Sequence, residues 1–476
     1  MAQRIGRTLH LPRSPAGKVL VTVLALALAA ALGVGIALVA PAVAARFGVA
    51  EPAPVPTAAP PAPLTPSLSL HPVDARAPAP SPAGVAAALE RPAAAAALGR
   101  LSGQVVDPVT GTVLWSRDPG SELVPGSTAK LVTAAAALLA LDPDATLPTT
   151  VVAGEPAGTV VLVGGGDPTL SALPASKESV YPGAARLDDL VAQVRAAAPG
   201  GVSRVLVDVD RYAGEVLGPG WLPADVVAGF VAPIVPVMLD GGRAVPTEPN
   251  TPRTGTPALA AAAELARRLG VAPDVAVGAA PPGAAVLGAV HSPPVGELVA
   301  TMLSTSDNVL AEAIAREVAI ARGAPPSFAG ATQAVRDVLT AAGIDVAGLR
   351  TVDGSGLSAQ NRVTAAGLAA LLGAAATPGT ADDRGARLRP MANALPVAGG
   401  SGTLAERYGA GPSAPGRGYV RAKTGTLNDV NSLAGIVVDA DGRLLVFAFL
   451  SNGSAAATAR PALDAIAAAL RTCGCR

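Results

Sequence analysis

Four residues, Ser127-Thr128-Ala129-Lys130, place a hydroxyl and an amine three positions apart at the head of an apolar run, Leu131 to Leu141. Pro125 and Gly126 precede the run and Asp142-Pro143 ends it, so it reads as a buried helix with a defined start and stop. Positions i and i+3 share a helix face, which lets the Ser127 hydroxyl meet the Lys130 amine. A serine is a weak nucleophile near neutral pH, and a desolvated amine can take its proton. Serine also starts helices simply as a cap, and lysine is mostly a solvated charge, so the pattern alone is weak. Residue usage strengthens it. Lysine occurs only at Lys18, Lys130, Lys177 and Lys423, in a chain whose other cations are nearly all arginine. Arginine does not give up its proton and could not replace Lys130 as a base.

Two further polar groups stand out. Ser306-Asp307-Asn308 separates two helix-like segments, Val295 to Leu303 and Val309 to Ile320. It is a turn or cap on the plain reading. On the functional one, Ser306 relays a proton and Asn308 holds a substrate amide, because a carboxamide both donates and accepts. Lys423-Thr424-Gly425-Thr426 continues a strand-like run from Tyr419. There Lys423 offers positive charge to an anionic substrate end, Thr424 or Thr426 adds a hydroxyl, and Gly425 admits another backbone.

The elements that must position these groups follow from pattern. Val85 to Leu98 reads as helix, broken near Pro92. Gly103 to Asp107 and Thr112 to Ser116 form a hairpin about the turn Pro108 to Gly111. Leu433 to Val438 and Leu444 to Ser451 are strands, and Ala455 to Arg471 a final helix. Between Val151 and Val290 the character changes: strands at Thr159 to Val163 and Val202 to Val209, and a helix at Ala258 to Leu269. Gly164-Gly165-Gly166-Asp167-Pro168 reads as a turn, since no Lys-Ser/Thr follows to make a phosphate loop. His291 reads as a boundary residue rather than a base for Ser127.

The chain has 476 residues, 35 basic and 35 acidic, so net charge gives no reason to expect a nucleic-acid partner. Three scattered histidines and two terminal cysteines offer no metal-site spacing. Arg4, Arg7, Arg13 and Lys18 lead into an uncharged stretch, Val19 to Ala45, long enough to cross a bilayer. The basic segment 1–18 is expected on the cytoplasmic side and 19–45 as an anchor, with a cleaved signal ending near Ala42-Val43-Ala44 as the rival. Either way the chain is exported. Residues 46–84, dense in Pro and Ala, read as an extended spacer, and His71 lies within it. Cys473 and Cys475 read as a local bridge, a bridge between chains, or a spectator tail.

Together and in this order, the S-x-x-K, S-D-N and K-T-G groups resemble the penicillin-recognising serine enzymes. About 180 residues separate Ser127 from Ser306, which is longer than in class A β-lactamases and resembles the D-alanyl-D-alanine carboxypeptidase/endopeptidase family, peptidase family S13. Gly164 to Leu170, Ser306 to Glu312, Asp353 to Ser358 and Gly402-Thr403-Leu404 are similar to that family as well. The resemblance implies an α/β (α+β) fold: an antiparallel sheet flanked by helices in 85–150 and 291–476, with an inserted accessory domain at 151–290. It implies that Ser127 attacks the D-Ala-D-Ala carbonyl, Lys130 takes its proton and Ser306 passes a proton to the leaving D-alanine. Asn308 would orient the peptide. Lys423, Thr424, Gly425 and Thr426 would hold the terminal carboxylate, with the Ser127 and Thr426 N–H groups as oxyanion hole. The implied substrates are peptidoglycan stem peptides, with β-lactams as mimics that acylate Ser127, and the resemblance implies no metal or organic cofactor. The same residues leave open a β-lactamase and a non-catalytic peptidoglycan-binding scaffold, and they do not divide carboxypeptidase from endopeptidase activity.

Overall fold

A computed structural model describes residues 76–377 and 383–475, with positions 23, 26–28 and 30 near the N-terminus. Those five positions are helical and exposed. The rest of the expected anchor 19–45, the basic segment 1–18 and most of the spacer, His71 included, lie outside the described residues. Among the described residues no helix is long and apolar enough to cross a membrane.

Along the chain, helix α1 (Pro82–Ala93) precedes strands β1 (Arg100–Val106) and β2 (Val113–Arg117). A 3-10 turn, Gly126–Ala129, runs into α2 (Lys130–Ala140). Next come β3 (Pro148–Ala153), β4 (Thr159–Val163), α3 (Leu187–Ala197), β5 (Arg204–Asp208), α4 (Pro223–Val227), α5 (Pro257–Leu269), β6 (Ala276–Val277) and β7 (Val286–His291). Helices α6 (Val295–Thr305), α7 (Asn308–Ala321) and α8 (Phe328–Ala341) lead to the short pair β8 (Leu349–Arg350) and β9 (Arg362–Val363). Helices α9 (Ala365–Ala376) and α10 (Asp383–Asn393), strands β10 (Val420–Leu427), β11 (Val430–Val438) and β12 (Leu444–Asn452), and helix α11 (Ala456–Arg471) complete it.

The main sheet has the order β10-β11-β12-β1-β2, antiparallel throughout. Side chains of a strand alternate between faces, and β12 shows why this sheet needs cover on both. Leu445, Phe447 and Phe449 face a core that includes Val85 and Leu89 of α1 and Leu463, Ile466 and Leu470 of α11. Val446, Ala448 and Leu450 face a second core built from α2, α6, α7, α8 and α9. Each fully buried Leu or Phe contributes roughly 1.5–3 kcal/mol, so both layers hold the sheet firmly. The expected hairpin is β1–β2, with a bulge between Val105 and Val106.

Helix α2 is the centre of the second core. Every residue from Lys130 to Leu138 is buried, as expected of a helix apolar all round. Its alanines keep it thin, so α6, α7, α8 and α10 pack close about it. The helix stops at Leu141, which is extended ahead of Asp142-Pro143.

Residues 148–291 build another sheet, β6-β5-β4-β3-β7, parallel from β4 to β6 and antiparallel at β3 and β7. Its core joins Val160, Leu162, Val205 and Val207 to Leu187, Leu190, Leu265 and neighbours on α3 and α5. The glycines before Asp167 form the turn leaving β4, with Gly166 at φ 100°. His291 ends β7, where its Nδ1 lies 3.0 Å from Thr146 Oγ1, a contact between exposed side chains. Cys473 and Cys475 are joined by a disulfide within the chain.

Candidate active site

Ser127 sits in the 3-10 turn rather than in the first turn of the α-helix itself. The tighter winding eclipses i and i+3, and Lys130 Nζ lies 3.0 Å from Ser127 Oγ. Gly126, at φ 53°, makes the sharp entry possible. Lys130 is fully buried. Its amine donates to Asn308 Oδ1 at 2.5 Å and to the Ser355 carbonyl at 2.7 Å. Those acceptors take both N–H groups of a neutral amine, and its lone pair is then left for the Ser127 proton. Burial pushes the Lys130 ammonium down to about 8, against the opposing pull of Asp353, Asp307 and Glu312.

Ser306 closes α6 in the left-handed conformation, φ 65°. That reversal starts α7 at once: Asp307 is its cap, accepting from Leu310 N at 2.9 Å, and Asn308 is its first residue. Asn308 Nδ2 donates to the Phe230 carbonyl at 2.9 Å, so the side chain is fixed at both ends. Lys423, also fully buried, donates from Nζ to Ser306 Oγ at 2.8 Å and to the Thr424 carbonyl at 2.9 Å. Burial, reinforced by the charge of Lys130, pushes its ammonium well below the ordinary lysine range.

Strand β10 runs beside the Ser127 turn. A Cβ on Gly425 would lie 3.0 Å from Ser127 N and would strike the Pro125 carbonyl and Ser432 Oγ. A Cβ on Gly126 would lie 2.9 Å from Thr426 N. Both glycines are therefore required by the contact between turn and strand, which brings the Ser127 and Thr426 amides side by side. Thr424 Oγ1 donates to Thr403 Oγ1 at 2.9 Å, and Thr426 Oγ1 to its neighbour's carbonyl, Gly425 O, at 2.8 Å. The cleft over these groups has a volume of about 640 Å³ and is lined by Ser127, Ser306, Asn308, Thr424 and Thr426 among others. All eight residues singled out from the sequence thus converge on this one place.

The chain as a whole is similar to known proteins. A profile of the D-Ala-D-Ala carboxypeptidase 3 (S13) family matches residues 85–257 and 245–472. The chain belongs to this family. A carboxypeptidase of Mycobacterium tuberculosis is 49% identical over 398 residues, covering 82% of this chain and 84% of the relative. Carboxypeptidase DacB of Mycolicibacterium smegmatis is 47% identical over 399 residues, covering 82% and 85%. The fold matches penicillin binding protein 4 of Haemophilus influenzae with a TM-score of 0.63 at 21% identity, over 81% of this chain and 97% of that one. The chain is a serine-type D-Ala-D-Ala carboxypeptidase of the S13 family.

Several groups around the site carry no sequence signal of their own. Arg243 Nη2 donates to Asp307 Oδ2 at 2.7 Å, Tyr181 OH donates to the same oxygen at 2.9 Å, and Arg253 stands 3.9 Å from it. Burial pushes the Asp307 carboxyl up, but the two guanidinium ions and the Leu310 N–H outweigh it and hold the group below the usual carboxylate range. Asp353 to Ser358, noticed only as a family-like string, wraps beneath Lys130. Asp353 accepts from Gly356 N, Ser358 N and Trp221 Nε1 at 2.7–3.0 Å. Glu312 accepts from Gly354 N at 3.0 Å and Ser355 N at 2.8 Å, which fixes the Ser355 carbonyl on Lys130. Burial, with Asp353 nearby, pushes Glu312 up to about 7.

Proposed function

We propose that Ser127 is the nucleophile of this carboxypeptidase and Lys130 its general base. The observation that carries the reading is the pair of lysine–serine contacts across one cleft, Lys130 to Ser127 at 3.0 Å and Lys423 to Ser306 at 2.8 Å. Ser127 Oγ attacks the carbonyl between the two D-alanines while its proton passes to neutral Lys130. The amides of Ser127 and Thr426 take the developing oxyanion; removing one such donor typically costs about 100- to 1000-fold in rate. The intermediate collapses as the C–N bond breaks; Ser306, in contact with Lys423, delivers a proton to the departing D-alanine nitrogen and regains one from the Lys130 ammonium across the cleft, which leaves Lys130 neutral again. Asn308 orients the peptide amide. Lys423, Thr424 and Thr426 face the terminal carboxylate, with Gly425 giving the strand its close approach. Water, deprotonated by Lys130, then frees Ser127.

The substrates on this reading are peptidoglycan stem peptides ending in D-Ala-D-Ala, with cross-bridge cleavage by the same site as a second activity. β-Lactams acylate Ser127. Residues 85–150 and 291–476 form the catalytic part and 151–290 the inserted one, supported by the separate sheet and core of 148–291. The uncharged stretch after a basic front supports export with residues 19–45 as an anchor or signal.

Intact mass after exposure to benzylpenicillin tests the site. The full chain should gain one penicillin per molecule and the Ser127→Ala variant none. An adduct on the variant, or D-alanine release at an undiminished rate by it, would show the nucleophile to be another residue.

A further inference from the structure

The cleft's positive charges are not equally available to a substrate. Lys130 and Lys423 are fully buried and hold protein acceptors. Arg243 is paired with Asp307, and Arg253 lies beside the same carboxylate. Arg407 lines the cleft but is forked onto Asp464, with Nε to Oδ2 at 2.9 Å and Nη2 to Oδ1 at 2.6 Å. Arg460 differs. It projects from the start of α11, is exposed, and lines the cleft beside Thr424 and Thr426. Its Nε donates to Thr426 Oγ1 at 3.2 Å. Among the described residues no carboxylate lies within ion-pair distance of it, the nearby Asp464 being occupied by Arg407.

We infer that Arg460 is a specificity-determining residue that selects substrates with a free carboxylate on the residue being released. This deepens the reading of the Lys423-to-Thr426 strand as the seat of the terminal carboxylate and rests on it. A carboxylate laid against the Thr424 and Thr426 hydroxyls comes within reach of the guanidinium already bonded to Thr426. A guanidinium offers two parallel N–H groups to a carboxylate, and such charge-assisted pairs are stronger than neutral ones. Lys423 supplies less there than its place in the motif suggests, because burial beside Lys130 opposes its charged form. Partial burial and the neighbouring Arg407 also oppose the charge of Arg460, but a guanidinium keeps its proton where a buried amine does not, so Arg460 supplies the lasting charge.

The test compares the full chain with its Arg460→Met and Arg460→Lys variants on two peptides that differ only at the end, D-Ala-D-Ala as the free acid and as the C-terminal amide. Kinetics of D-alanine and D-alaninamide release give kcat/KM for each. The wild type should prefer the acid. Arg460→Met should lose about 10- to 100-fold on the acid and far less on the amide, so that the preference collapses. Arg460→Lys should recover part of it. An unchanged acid-to-amide ratio in an active Arg460→Met variant overturns the inference while leaving the catalytic reading intact. Equal losses on both peptides would mean that Arg460 only supports the strand, and would also overturn it. If the wild type released nothing from either peptide, the catalytic reading itself would fall, and this inference with it.

Discussion

The proposed base is buried, and that dictates how the rate must follow pH. Only neutral Lys130 can accept the Ser127 proton. With its ammonium pushed down to about 8, about one molecule in ten is competent at pH 7 and about one in a hundred at pH 6. Acylation by benzylpenicillin should therefore rise about tenfold between pH 6 and 7, about fivefold more to pH 8, and level off about one unit beyond. The inhibitor's own carboxylate is ionised throughout, so the limb belongs to the protein. Time-resolved intact mass at subsaturating penicillin gives the second-order constant at each pH. Lys130→Arg should remove the limb together with the activity, since guanidinium keeps its proton. A constant that stayed flat from pH 6 to 8 in the wild type would refute the assignment of Lys130 as base. The same shift bears on stability. The unfolded chain holds this proton up to about 10.5 and the folded chain releases it near 8, so between those values the unfolded state binds more protons. Stability then rises with pH across that window, by about 3 kcal/mol from this group, and Lys423 acts in the same direction.

Other perturbations have equally definite outcomes. Gly425→Ala should abolish penicillin acylation while the fold, followed by circular dichroism, persists, because its Cβ would push β10 off the Ser127 turn. Arg243→Met should lower thermal stability, at a cost of about 3–5 kcal/mol, by leaving the buried Asp307 carboxylate without its main partner; an unchanged melting temperature would show that Arg253 and Tyr181 suffice. Ser306→Ala should slow D-alanine release more than penicillin acylation in steady-state and mass assays, since a lactam's leaving amine stays attached.

The candidate site was legible in the sequence because its residues lie in short motifs, and the structure brings them to one cleft. Ser127 and Lys130 declare themselves by spacing, and both the 3-10 and the α turn bring i and i+3 together. The strands β11 and β12 and helix α7 followed from apolar pattern within a few residues. What pattern could not supply is the set of long-range partners. Arg243, Arg253 and Tyr181 meet on Asp307 from loops with no periodicity, and their approach is decided by how the 148–291 sheet packs. The carbonyls of Phe230 and Ser355, which hold Asn308 and Lys130, are backbone groups that any residue type carries. The glycines of Asp353 to Gly356 were a visible cue to a tight loop, but not to its position beneath the base. The parallel pairing of β4, β5 and β6 was likewise hidden, since single-strand patterns do not state direction.

The main sheet joins the two ends of the sequence. Strand β1 pairs with β12, Arg100 opposite Asn452, across about 350 positions. At roughly 5–20 residues per second, about 20 to 70 s of synthesis separate the two partners. During that interval the β1–β2 hairpin has an open edge and an uncovered apolar face, a hazard for unwanted pairing. Strand β10, with Lys423 and Thr426, emerges only near the end as well, so the cleft over Ser127 is incomplete until the last strands dock. The topology thus sets an order of assembly: Ser127 and Lys130 are made early, and the cleft proposed to use them is complete only when the last strands join the sheet.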